Sequence, residues 1–295
     1  MNKQLRSDLM LILVTVFWGA TYLLTKLALD ALQPFNLTAL RFIIAFAVSA
    51  AFFHKQILRA DIKTIKYSAA LAVILFTVFI TMTFGLKYTT ASNAGFLVSL
   101  SVVFIPIISA VVLKQKVETK IIKGIFFAVI GIALLTLNSR LSINSGDLLC
   151  ILCALLFAAH VVATGVFTRS VNSISLSVIQ LGFVGVLSII FSLFTESVRI
   201  PNSIVTWFAV LTLSILCTAV SYVIQTVAQK YTSATHTGLI LSLEPVFSAL
   251  FAFLFLGEVL TLKGYIGAAV LLFSILYIEL DFKKRAGEDN VNINQ

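Results

Sequence analysis

The chain has 295 residues, of which 60% are apolar and only 11% charged, with a net charge of +9 and a mean hydropathy of +1.07. Soluble domains carry about 45–50% apolar and ~25% charged residues, so no water-soluble fold of this size hides so much apolar surface. The composition points to the bilayer as the solvent.

Apolar runs of ~18 residues or more cross a ~30 Å hydrocarbon core as helix, and only helices or closed barrels satisfy their backbone there. The runs are continuous rather than alternating, so an all-α membrane protein is expected. In chain order the spans fall at 9–29, 36–53, 67–86, 91–113, 121–138, 147–168, 174–194, 205–228, 233–256 and 263–280. The first, preceded by Lys3 and Arg6, has the outline of a secretory signal. Its apolar run, however, continues past Trp18 and Gly19 to Leu29 with no small-x-small site before it. It is read as the first of ten transmembrane helices.

With a cytoplasmic N-terminus, ten spans place Lys3, Arg6, Lys55, Arg59, Lys63, Lys66, Lys114, Lys116, Lys120, Lys123, Arg169, Lys230, Lys283, Lys284 and Arg285 on the cytoplasmic side. Only Lys87, Arg140, Arg199 and Lys263 fall outside. That asymmetry is the positive-inside rule. The net charge is thus a topology signal, and no nucleic-acid partner is expected. Cys150 and Cys153 form a C-x-x-C inside an apolar span with no second ligand pair nearby, so they read as packing residues, and no metal site or cofactor is expected. No G-x-x-x-x-G-K loop appears, so the chain carries no ATP-binding motif.

The chain repeats itself. KYTTASNAGFLVSLSV at 87–102 and KYTSATHTGLILSLEP at 230–245 stand 143 positions apart, as do GIFFAVIGIALL at 124–135 and GAAVLLFSILYI at 267–278. FWGAT at 17–21 answers LFAAH at 156–160 at a shift of 139. Two five-helix units are expected, 9–138 and 147–280, followed by a cytoplasmic tail at 281–295. Five crossings leave the chain on the opposite face, so the second unit enters the membrane inverted. Inverted repeats in secondary transporters place a substrate site near the midplane between them. The copied sentence reads as one gate written for each side.

Polar residues inside a bilayer are expensive and face the bundle interior or a water-filled cavity. Helical spacing puts such stripes on spans one, three, four, six, eight and nine, which are taken as the inner ring. The candidate substrate cavity draws on Trp18, Tyr22, Thr81, Asn93, Ser101, His160, Thr164, Tyr222, Gln225, Thr237 and Glu244. The alternative for each Ser, Thr and Gly is close helix packing. Glu244 stands apart because a charged carboxylate at mid-span costs at least ~2.5–3.5 kcal/mol. Pro245 behind it removes a backbone donor and disfavours helix at residue 244, so a break is expected there. Pro245, Gly95 and Gly238 are the candidate break or gating positions. Glu244 and His160 are the candidate proton-coupling groups, against the alternatives of a carboxylate that braces a kink and a hydrogen-bonded interior histidine. Lys26 either reaches the headgroups or contacts an anion in the cavity, and Arg41 is expected to pair locally with Asp30.

WGATYLLTKLAL at 18–29, followed by Pro34 and LRFIIA at 40–45, resembles the opening of the EamA family of the drug/metabolite transporter superfamily. LSLEPVFSALFAFLFLGE at 241–258 resembles the closing signature of that family's second repeat. The resemblance implies ten helices, cytoplasmic termini and alternating access around a central cavity. Two departures stand out: Gln115 where the second repeat has Glu258, and His160 where the first has Thr21. Relatives carry amino acids, other metabolites, nucleotide sugars or phosphorylated sugars. A phosphate carrier needs several Lys or Arg in its cavity, and the proposed ring offers only Lys26. The expected function is a secondary transporter in the cell membrane that moves a small neutral, zwitterionic or hydrophobic metabolite, such as an amino acid, with export as the expected direction. A channel and a membrane-embedded enzyme are the alternatives. An enzyme needs a convergent catalytic set, and three His with one intramembrane carboxylate do not make one.

Overall fold

The computed structural model describes residues 3–89, 91–114, 118–136, 144–256, 261–274 and 277, and every regular element among them is a helix. The sequence calls at Gln115 and Glu258, the repeat ends at 137–138 and 278–280, and the tail at 281–295 lie outside these residues.

Helices α1 (Lys3–Gly19) and α2 (Thr21–Leu29) form one apolar stretch that turns at Ala20. Helix α3 (Pro34–Leu58) starts on a proline, which belongs in a first turn because its missing N–H has no intrahelical partner there. Helix α4 (Ile62–Tyr88) is capped by Asp61, whose carboxylate accepts from the Thr64 N–H. Helices α5 (Ala91–Ser99) and α6 (Ser101–Leu113) meet at Leu100, and α7 (Thr119–Thr136) follows. Helix α8 (Ser145–Phe167) opens with a reciprocal capping box between Asn144 and Asp147. Helix α9 (Ser173–Thr195) is capped by Asn172. Helices α10 (Ile204–Ser214) and α11 (Ser221–Gln229) are joined by a π-turn over Ile215–Val220. Helices α12 (Ala234–Leu241), α13 (Glu244–Leu256) and α14 (Leu262–Ser274) complete the chain.

Among the described residues six stretches are long and apolar enough to cross a membrane. Two of them, α3 and α4, extend beyond the expected 36–53 and 67–86. The added turns carry Lys55, Lys63 and Lys66, whose long stems let a helix continue into the headgroup layer while the charge stays wet. Large apolar side chains such as Phe194, Ile204 and Phe52 are 86%, 89% and 78% exposed. That outer surface is what a lipid-facing bundle presents.

Cross-links order the two faces of the bundle. On the N-terminal face, Gln4 at the start of α1 bonds Thr232 between α11 and α12. On the same face Tyr67 stacks on Phe167 at 4.1 Å, Ser68 bonds the Leu176 carbonyl, and Ser175 bonds the Gln56 carbonyl. The starts of α4 and α9 therefore lie with the ends of α3 and α8. On the opposite face the Glu196 carboxylate accepts from the backbone N–H groups of Phe35 and Asn36, and Thr89 at the end of α4 bonds Asp147 at the start of α8. A carboxylate on a helix N-terminus satisfies two orphan donors and complements the helix dipole.

The most extensive packing is α3 on α9 and α4 on α8, with α1 on α11 and α6 on α8 and α12 completing the interior. Glycines set the closest crossings. A Cβ on Gly85 would meet Cys150 Sγ at 2.8 Å, and one on Gly19 would meet Phe247 Cβ at 2.6 Å.

Candidate substrate cavity

One cavity lies where α1, α2, α3, α4, α5, α8, α11 and α13 converge. Its wall carries five aromatic rings, those of Trp18, Tyr22, Phe79, Phe157 and Tyr222. Trp18 meets Phe157 edge-on with centroids 5.6 Å apart and tilts against Tyr222 at 5.4 Å, while Tyr222 lies 6.1 Å from Phe79. Val78, Met82, Val98, Thr21 and Cys153 fill the gaps. The free volume is about 40 Å³, against the ~10–15 Å³ that one water needs and the ~300 Å³ or more of a typical ligand pocket. The space is too small for a metabolite.

Two charged groups face this space, Arg41 from α3 and Glu244 from the first turn of α13. Arg41 is 3% exposed. Its Nε donates to Thr218 Oγ1 at 2.6 Å, its Nη2 to the Cys217 carbonyl at 3.4 Å, and its guanidinium lies 4.6 Å from the Phe79 ring centre. The π-turn supplies the first two partners. Thr218 Oγ1 in turn donates to Leu213 O, five residues back, and Ser221 does the same to Leu216 O. The Cys217 carbonyl also accepts from Trp18 Nε1 at 2.9 Å. Segments of π-helix inside an α-helix concentrate at functional sites, and here the segment holds both the arginine and the tryptophan.

The expectation that Arg41 pairs with Asp30 is overturned. Helix α3 begins at Pro34, so residue 41 lies two turns inside it, on the buried face with Leu37, Phe42 and Ala45. Lys26 is exposed and does not line the cavity. The cavity therefore holds one guanidinium and one carboxylate, where the sequence reading offers only Lys26.

Of the residues expected at the site, Trp18, Tyr22, Tyr222 and Glu244 line the cavity, and Tyr22 presents its hydroxyl to the Glu244 carboxylate. Thr81, Ser101, His160, Thr164, Gln225 and Thr237 do not line it. Thr81 Oγ1 donates back to the Thr77 and Val78 carbonyls and sits behind Cys153. Thr237 donates to Ser233 O, and Ser101 is buried at the start of α6. His160 is fully buried, with Nε2 3.1 Å from Gln180 Oε1, stacked on Phe157 and edge-on to Tyr222. It forms part of the support behind the aromatic wall. Thr164 and Gln225 are fully buried toward the N-terminal face. The side chain of Asn93 lies outside the described residues.

A break does precede Glu244, with Ser242 and Leu243 between α12 and α13. Its counterpart, Leu100 between α5 and α6, stands 143 positions earlier and has no proline after it. The break therefore occurs in both halves, and Pro106 lies undisturbed inside α6. Pro245 sits in the first turn of α13, where proline is tolerated. Gly95 and Gly238 lie inside α5 and α12, five residues before the breaks. Gly238 is a packing position, because a Cβ there would meet Ile105 Cδ1 at 2.4 Å.

Comparison with known proteins places this architecture. The EamA-like transporter family matches residues 5–137 and, a second time, 144–280. The chain belongs to the EamA-like transporter family. An uncharacterized transporter of Archaeoglobus fulgidus is 34% identical over 278 residues, covering 94% of this chain and 87% of its own. The uncharacterized transporter YyaM of Bacillus subtilis is 26% identical, covering 93% of each. A solved crystal structure with 21% identity superposes with a TM-score of 0.80 over 94% of this chain and 98% of its own, which shows a shared fold. The EamA chain is thus a multi-pass membrane protein with a transporter's fold.

Proposed function

We propose that this EamA chain is a secondary transporter that moves a small zwitterionic metabolite across the cell membrane by alternating access, with export as its direction. The observation that carries the reading is the opposition of Arg41 and Glu244 across one aromatic-walled cavity. A guanidinium takes a carboxylate in a planar fork, and a carboxylate with a tyrosine hydroxyl takes an ammonium. An amino acid with an apolar side chain presents both groups and a surface for Trp18, Phe157, Tyr222 and Phe79. A dianionic phosphate would leave charge uncompensated beside Glu244.

Alternating access is supported by the internal symmetry. Exchange of the halves matches α1 with α8, α3 with α9, α4 with α10 and α11, and α5 and α6 with α12 and α13. The contacts α4 on α8 and α1 on α11 then map onto each other, as do α6 on α12 and α5 on α13, while α3 on α9 maps onto itself. The aromatic wall follows the same rule: Trp18 and Phe157 are 139 positions apart, Phe79 and Tyr222 are 143, and both pairs are in ring contact. Two inverted five-helix repeats about a central axis account for this pattern and for ten spans. The N-terminal face carries Lys55, Arg59, Lys63, Lys66, Arg169 and Lys230, which supports a cytoplasmic N-terminus.

The test is uptake and counterflow of a panel of amino acids and uncharged analogues in proteoliposomes, with and without a pH gradient, comparing wild type with Glu244→Gln. Counterflow restricted to molecules that keep both charged groups supports the reading. Accumulation driven by the gradient and lost in Glu244→Gln assigns proton coupling to Glu244. Equal transport of substrates lacking the carboxylate, or flux without counterflow, overturns it.

A further inference from the structure

The repeated sentence beginning Lys-Tyr-Thr places its threonines on opposite faces of the bundle, and each is tied to an aspartate of the other half. Thr89, which follows α4, donates Oγ1 to Asp147 Oδ1 at 2.5 Å. Thr232, which follows α11, accepts from Gln4 Nε2 at 2.9 Å, and that same nitrogen lies 2.9 Å from Asp8 Oδ1. The Asp8 oxygen also meets His236 Nε2 at 3.0 Å. Thr89 and Thr232 stand 143 positions apart, while Asp8 and Asp147 stand 139 apart. Those are the two shifts that align the halves, so the two clusters occupy equivalent positions, one closed by a direct bond and the other through Gln4 and His236.

Both clusters are buried, with Thr89, Thr232, Asp8, Asp147 and His236 all between 4% and 8% exposed. Asp8 lies at the face where α1 begins, and Asp147 lies at the far end of α4, a helix of 27 residues that spans about 40 Å. Each aspartate rides on the first helix of one half: Asp147 bonds Thr89 after α4, while Asp8 bonds His236 in the first turn of α12 and reaches Thr232 only through Gln4. Parting the halves at either face breaks the bond at that face and leaves the other in place.

A second observation shows what lies behind the Asp8 cluster. Between it and the cavity, Gln225 Nε2 and Oε1, Gln229 Oε1 and Thr164 Oγ1 are buried and have no hydrogen-bond partner among the described residues. Gln229 is held toward α8 by its bond to the Val161 carbonyl. Buried polar atoms without partners are costly, and wetting them lowers the cost of opening this face.

We propose that Asp8 and Asp147 are the two gate residues of the transport cycle, one at each face, and that the cycle opens one while the other holds. This rests on the alternating-access reading. With both bonds made, the halves are held together at both faces, and the free volume of the cavity is small. Among the described residues the Asp8 cluster bonds the other half twice, through His236 and from Gln4 to Thr232, and the Asp147 cluster once, through Thr89, so loss of the latter shifts the resting balance less.

Cys153 lines the cavity and serves as a reporter once Cys150 and Cys217 are replaced by alanine. Its rate of labelling by a membrane-impermeant thiol reagent is measured in vesicles of each orientation. Asp8→Ala is expected to raise labelling from the N-terminal face about tenfold and to lower it from the other. Thr89→Val removes the hydroxyl and leaves the α8 capping box intact, so it tests the second gate without the folding risk of Asp147→Ala. It is expected to raise labelling from the opposite face, by a smaller factor. Equal labelling of both variants from one face, or rates unchanged from the latch-intact protein, overturns the gate assignment. Failure of the alternating-access reading looks different: the latch-intact protein labels from both faces alike and shows no substrate counterflow.

Discussion

The indole of Trp18 donates to the main-chain carbonyl of Cys217 at 2.9 Å, joining α1 to a π-turn 199 residues further along the chain. The same carbonyl accepts from Arg41. One wide turn of helix thereby holds both an aromatic wall and a cation of the cavity.

Trp18→Phe keeps a ring against Phe157 and removes the donor. The expected outcome is a folded protein destabilised by ~1–3 kcal/mol, with reduced uptake. Thermal unfolding in detergent and proteoliposome transport measure the two effects.

Arg41 and Glu244 line one cavity, so removing either leaves the other without its counter-charge. Arg41→Met and Glu244→Gln are each expected to destabilise, the former by up to ~3–5 kcal/mol. The double variant is expected to lose at least ~0.5 kcal/mol less than the sum of the two. A double-mutant cycle on unfolding midpoints checks this coupling. Additive effects would mean that the two charges do not sense each other.

Gly19→Ala sets a methyl 2.6 Å from Phe247 Cβ and 2.9 Å from the α13 backbone, whereas at Gly165 the nearest neighbour is Ala234 Cβ at 3.9 Å. The first substitution is expected to cost ~1–3 kcal/mol through overpacking and to displace Glu244 with its helix. Gly165→Ala is expected to be tolerated. Parallel unfolding and uptake measurements on the pair separate close packing from loss of glycine as such.

Asp61 caps α4 outside the spanning region, and the Thr64 hydroxyl and N–H hold its carboxyl below the usual range. A carboxyl lowered by folding stabilises the protein above its unfolded value, and that stabilisation fades as pH falls through the folded value. Asp61→Ala is therefore expected to lower the unfolding temperature at neutral pH, with the gap to wild type closing below about pH 4. Unfolding curves across pH 3 to 7 test it.

Much of the architecture was readable because a bilayer allows few solutions. Continuous apolar runs had to be helices, and the shifts of 139 and 143 announced the duplication. Trp18, Tyr22, Tyr222 and Glu244 stood out as polar or amphipathic groups at helical spacing. Phe79 and Phe157 did not, because 25 phenylalanines make each one inconspicuous. Arg41 was misplaced because it lay near the edge of a span whose true start is Pro34. His160 and Thr81 carried the right chemistry on the right helices, yet helical rotation turned them behind the wall.

The sequence by itself determined the membrane setting, the helices and their duplication, since hydropathy and self-similarity are properties of the chain alone. Tertiary structure decided which polar groups meet. The π-turn at Ile215–Val220 shifts the facing of every residue after it by part of a turn. Thr89 finds Asp147, and His236 finds Asp8, across intervals that no local pattern encodes. Facing depends on crossing angle and helix rotation, and these are set by the packing of all the helices together.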